Sequence, residues 1–158
     1  MVVASVVLAL SVSAPTAAFV NPVSGVSIVP PPGWSAARVE GVDADYFMGP
    51  AGDGTSLNLM GPVPPLRAAH AEDCAAQAAQ VGLVEGLRVS LARYDEAEDA
   101  CLIWYGGSVF GTDLRFRAKL LYVDGQTFVV TYTAGAAQFE AFLAQAQRAM
   151  GTFRVLGR

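Results

Sequence analysis

The segment DLRFRAKLLYV, residues 113–123, alternates sharply. Leu114, Phe116, Ala118, Leu120 and Tyr122 fall on one side, and Arg115, Arg117 and Lys119 on the other. A period of two predicts a strand with one apolar and one basic face. Asp124–Gly125 then reads as a tight hairpin turn. On the return strand, Phe128, Val130 and Tyr132 alternate with Thr127, Val129, Thr131 and Thr133. Over residues 137–150 the period lengthens: Phe139, Phe142, Leu143, Ala146 and Met150 mark one face of a helix that Gly151 ends. The TFRV that follows can add a short edge strand.

The same reading extends towards the N-terminus. Leu87, Val89 and Leu91 alternate with Arg88, Ser90 and Ala92. ACLIWYGGSVF is apolar on both faces, as a central strand covered on both sides would be, and Gly106–Gly107 marks a bulge or bend. PPLRAAHAEDCAAQAAQVG predicts a helix from Pro64–Pro65 to Gly82 with Cys74, Ala78 and Val81 on one stripe. DADYFMGPAGDGTSLNLMGP predicts a hairpin turning at Gly52–Gly54. Ala44, Tyr46 and Met48 lie on one face of its first strand, and Leu57 and Leu59 alternate on the second. Val26–Val29 is a short strand stopped by three prolines, with Trp34 as an apolar anchor after them. The order is strand, hairpin, helix, meander, helix, which gives an α+β class: an antiparallel β-sheet flanked by helices.

Composition adds a compartment. The first charged side chain is Arg38. The apolar run Val2–Val12 has signal-peptide length, and Thr16, Ala17 and Ala18 place a cleavage point after Ala18. No Lys or Arg follows Met1, a departure from the basic start of such leaders. Serines and Pro15 interrupt the run, which suits a cleaved leader better than a spanning helix. The expectation is a signal peptide over 1–18 and one domain over 19–158, exported to the periplasm or outside the cell, with no stable membrane insertion after cleavage. Cys74 and Cys101 leave two readings: a disulfide of the exported protein, or two buried free thiols. A net charge of −4 argues against a nucleic-acid surface.

Chemistry is sparse, and neither a cofactor nor a metal is expected. His70 is the lone histidine. With Asp73 three residues on, and Ser90 or Ser108, it would be the centre of a small hydrolase; no GxSxG context supports that, and an exposed helix position is the alternative. DEAED at Asp95–Asp99 reads as a cation site or as a solvated loop. Trp34, Trp104 and Tyr105 read either as core or as the lining of a cleft for a small apolar ligand. Arg115, Arg117 and Lys119 share a strand face that Arg88 can join from a neighbouring strand. That face reads as a docking surface for a protein partner carrying acidic groups. Its alternative is pairing with Glu85, Asp113 or Glu140.

Three segments resemble the PsbP-like superfamily, which includes a photosystem II extrinsic subunit, a Ran-binding import factor and DcrB-type envelope proteins. They are GVSIVPPPGWSA, LLYVDGQTFVVTYTA and FEAFLAQAQRAMGTFRVL, the last with Thr152 where the family usually has serine. The resemblance implies an α/β/α sandwich that docks to other proteins and is usually not an enzyme. In a photosynthetic organism it would imply a photosystem II accessory subunit, in the plastid or thylakoid lumen of a eukaryote. No functional residue of that role has a counterpart here.

Overall fold

The computed structural model describes residues 17–50 and 52–157. Residues 1–16, which hold nearly all of the expected signal peptide, lie outside the described residues.

Seven strands form one antiparallel sheet in the order β3-β4-β5-β9-β8-β7-β6. They are β3 (Ser35–Ala37), β4 (Asp45–Met48), β5 (Ser56–Val63), β6 (Leu87–Asp95), β7 (Ala100–Val109), β8 (Thr112–Val123) and β9 (Gln126–Gly135). Helix α1 (His70–Gly82) lies against β6 and β7, and α2 (Phe139–Gly151) lies against β9. Strands β1 (Phe19–Val20), β2 (Val26–Ile28) and β10 (Arg154–Val155) form a separate three-stranded antiparallel sheet. The expected α+β sandwich is therefore the observed one, with an added sheet that Arg154–Val155 joins in place of the edge of the large one.

Register explains which helix lies on which face. Leu57, Phe128, Val130 and Tyr132 point to one side and are completely buried or nearly so, together with Phe139, Ala146, Ala149 and Met150 of α2 and Val26 and Ile28 of β2. Cys101, Ile103, Ala118, Leu120 and Tyr122 point to the other side and pack with Cys74 of α1. The alternation of β8 is thus resolved into two environments. Thr152 ties the small sheet to α2: its hydroxyl donates to the Ala149 carbonyl (2.7 Å) and accepts from the Val29 amide (2.8 Å). That use needs a hydroxyl at this position.

Four expectations change. The buried side chain of β4 is Phe47, paired with Leu57, while Tyr46 and Met48 pair with Asn58 and Ser56 on the opposite face. Helix α1 begins at His70, not at Pro64. Asp73 explains the later start: its buried carboxylate accepts from the Leu66 and Arg67 amides and from the Tyr122 hydroxyl, holding the preceding segment non-helical against the sheet. A bulge between Val89 and Leu91 resets the parity of β6, so Leu91 faces away from Val89 and lies opposite Trp104. Strand β7 is covered by α1 on one face only, and on the other the Arg117 side chain lies over Trp104.

Candidate functional site

The α2 side of the large sheet is divided. Helix α2 and the small sheet cover its β4, β5 and β9 part. The β6–β8 part carries three cross-strand rows set by register. The first is Arg93, Leu102 and Lys119; the second Leu91, Trp104 and Arg117; the third Arg88, Gly106 and Arg115. Five of the chain's ten basic residues share this surface, and Arg93 is the member that sequence reasoning missed. Its signal was present but displaced: the bulge brings Arg93 onto the face that an unbroken alternation assigns to Arg88, Ser90 and Ala92.

Trp104 sits at the centre. The Arg117 guanidinium lies over its ring, 4.5 Å from the centroid, a cation–π contact. Burial, and secondly the nearby charge of Arg93, lower the pKa of Arg117 from its ordinary value. Its charge is strained rather than neutralised, because the reference lies so far above neutrality. Arg117 Nη1 and Trp104 Nε1 are both buried donors without an acceptor among the described residues. Three other cations do have carboxylates: Lys119 with Glu98 at 2.5 Å, Arg115 with Glu140 at 3.5 Å and Arg93 with Asp95 at 3.9 Å. The Arg115 and Arg93 pairs are solvent-exposed and worth no more than about 1 kcal/mol each.

The three aromatics expected at a ligand cleft are not brought together. Trp34 packs against Tyr132 and Phe142 in the α2-side core. Tyr105 stacks on Phe116 on the α1 side of the sheet, where burial raises its pKa. Trp104 lies under Arg117 on the opposite face. A cleft of about 820 Å³ exists elsewhere, lined by residues including Asn21, Arg38, Asp45 and Met60, and none of the three aromatics borders it.

His70 has a partner, but it is Asp99 and not Asp73. His70 Nδ1 lies 2.7 Å from Asp99 Oδ1, and its ring stacks on Tyr122 at 4.2 Å. The Tyr94 hydroxyl donates to the same carboxylate oxygen at 2.7 Å. Desolvation pushes the Asp99 carboxyl up, but the bonds from Tyr94 and His70 outweigh it and hold the pKa below the usual carboxylate range. Neither Ser90 nor Ser108 joins them. The Ser90 hydroxyl donates to the Trp104 carbonyl at 3.1 Å, and Ser108 lies on β7 opposite Asp113. The acidic run is likewise engaged internally: Asp95 accepts from the Ala97 amide, Glu98 pairs with Lys119, and Asp99 holds His70. Among the described residues, no group of three or more His, Cys, Asp or Glu side chains is placed to hold a metal.

Cys74 and Cys101 form a disulfide with Cα atoms 5.3 Å apart, joining α1 to β7, and this sets aside the free-thiol reading. The bond is consistent with an oxidising compartment. Among the described residues, no helix is long and apolar enough to cross a membrane.

No protein-family model and no curated protein matches the chain in sequence. Solved structures do match. A cyanobacterial PsbP (CyanoP) from Synechocystis sp. PCC 6803 superposes with a TM-score of 0.63 at 13% identity, covering 92% of this chain and 95% of that one. The fold is PsbP-like. LpqN of Mycobacterium tuberculosis, described as involved in cell envelope biogenesis, gives a TM-score of 0.57 at 12% identity over 82% of each chain. A protein of unknown function from Pseudomonas aeruginosa gives 0.50 at 18%, covering 79% of this chain and 97% of that one. Identities this low carry the PsbP-like architecture and leave the surface chemistry to this chain's own residues.

Proposed function

We propose that this chain is an exported, non-catalytic accessory protein that docks to an acidic protein partner through the basic β6–β8 face. The observation that carries the reading is the register that gathers five of the chain's ten basic residues on one sheet face around the Arg117–Trp104 stack, on a chain of net charge −4. An acidic partner brings carboxylates to this face. A planar guanidinium stacked on indole is preorganised for such a carboxylate. Arg88 beside the centre has no ion pair among the described residues and supplies long-range steering, and the exposed Arg93 and Arg115 pairs can exchange their carboxylates for a partner's. PsbP-like neighbours support an accessory role by fold alone. The disulfide and the apolar leader support export.

The test uses a glutamate-rich peptide and the charge-reversed pair Arg115→Glu, Arg117→Glu. NMR titration is expected to shift amides of β6–β8 in the native chain, weakening as salt rises. Unchanged affinity and salt dependence in the reversed chain would sink the docking surface. His70→Ala is expected to leave binding unaltered. Loss of a measurable hydrolytic activity in that variant would contradict the non-catalytic reading.

A further inference from the structure

The β7–β8 hairpin turns at Phe110–Gly111, with Val109 and Thr112 as its closing pair. Three non-glycine residues among those described have a positive φ: Asp99 at 47°, Asp124 at 51° and Phe110 at 49°. Aspartate tolerates that region because its short side chain bonds locally; a bulky aromatic does not. A two-residue turn of this kind favours Asn-Gly or Asp-Gly, as Asp124–Gly125 illustrates. Phe110 therefore opposes the local preference, and packing does not repay it. The side chain is 104% exposed.

A second apolar turn stands beside it. Leu83 and Val84, between α1 and β6, are 78% and 52% exposed. Leu87 pairs with Gly107, so the start of β6 and the β7–β8 turn lie at the same end of the sheet. A Cβ at Gly107 would run into the Gly86 carbonyl, and one at Gly86 into the Ser108 carbonyl, so the two backbones touch where the turns meet. Two adjacent reverse turns thus present Phe110, Leu83 and Val84 as a convex apolar tip. On the same end, Arg88 and Arg115 flank Gly106 three residues above the closing pair, which is about 10 Å along the strands.

We propose that this tip is a shallow membrane-contact site, seated in the interfacial region of a lipid bilayer. A convex tip of three side chains needs no complementary pocket in lipid. It is far too small to hold a second copy, since a stable dimer buries roughly 800 Å² per partner. Interfacial insertion reaches about 5–10 Å, which places the two arginines at the level of the headgroup phosphates. Arg115 already pairs with Glu140, and Asp113 lies at the same end opposite Ser108, so apolar area, and not net charge, supplies the attraction. Binding is expected on uncharged as well as anionic bilayers.

Co-sedimentation with vesicles of phosphatidylcholine, with and without phosphatidylglycerol, tests this with Phe110→Asn. Asparagine suits the turn, so the variant is expected to melt at a higher temperature than the native chain. Its partitioning is expected to fall at least about tenfold, from the apolar area removed. Leu83→Ser with Val84→Ser is expected to weaken partitioning from the neighbouring turn. The proposal is overturned if the native chain fails to partition onto either vesicle, or if Phe110→Asn partitions equally. It is also overturned if sedimentation shows a dimer that Phe110→Asn dissolves.

Discussion

Two halves of one sheet face meet different fates. Over β5 and β9, Leu57, Phe128, Val130 and Tyr132 are sealed beneath α2 and the small sheet. Over β6–β8 the same side of the same sheet presents Arg88, Arg93, Trp104, Arg115 and Arg117. The backbone pairing continues without a break from β9 to β8. The difference is therefore written in the side chains. In β9 the α2-facing positions are apolar, and in β8 they are basic up to Lys119. On this face, apolar burial stabilises the covered half, and the open half keeps its basic side chains at the surface.

The comparison can be broken most severely from the covered half. Phe128→Ala is expected to cost about 3–5 kcal/mol in urea unfolding, since the site is fully buried. Arg117→Met on the open half is expected to change stability by less than about 1 kcal/mol while removing partner binding. Equal losses at both positions would show that the open half is structural.

Removing the disulfide by Cys74→Ala with Cys101→Ala is expected to cost about 3.5 kcal/mol, on the chain-entropy estimate for a sequence separation of 27 residues. Peptide binding at the basic face should survive where the variant remains folded. At Thr152, valine is expected to cost about 1–2 kcal/mol by orphaning the Val29 amide, and serine much less. Tyr132→Phe removes the bond from the buried hydroxyl to the Phe139 carbonyl (2.8 Å) and should have a similar effect on the α2 side. Burial pushes the Tyr132 phenol up to about 12, so that contact persists through neutral and mildly alkaline pH.

The smallest expected effect lies on the α1 side, at Asp99. Its folded pKa is depressed, so the stabilisation is present above the unfolded value, about 4, and is lost as pH falls through the folded value. Asp99→Asn should flatten the acid limb of a stability profile and leave the basic face unaltered. An acid limb identical to that of the native chain would remove Asp99 from the account.

Strong periodicity made much of this legible in the sequence. The alternation of β8, the Asp124–Gly125 turn and the α2 stripe are local patterns, and each is reproduced. The short strands β1 and β3 are too brief to show a period, and their pairing is set by partners distant in the chain. Alternation puts Leu91 on the wrong face and passes over Arg93, because one extra residue in β6 inverts every later position. The start of α1 depends on Asp73 reaching back to Leu66 and Arg67 and across to Tyr122, a long-range bond that no local pattern encodes. Of the candidate site, Arg88, Arg115, Arg117 and Lys119 were legible from β-strand parity. Trp104 joined them only once the register of β7 against β8 was known.

The central claim is that the open basic face engages an acidic partner. A photo-crosslinking residue at Leu91, exposed in the Trp104–Arg117 row, tests it directly in the protein's own cells. The account predicts one discrete acidic protein crosslinked from Leu91, not from the exposed Val23, and lost with Arg115→Glu and Arg117→Glu. No crosslink from Leu91, the same product from Val23, or a product indifferent to the charge reversal would contradict it.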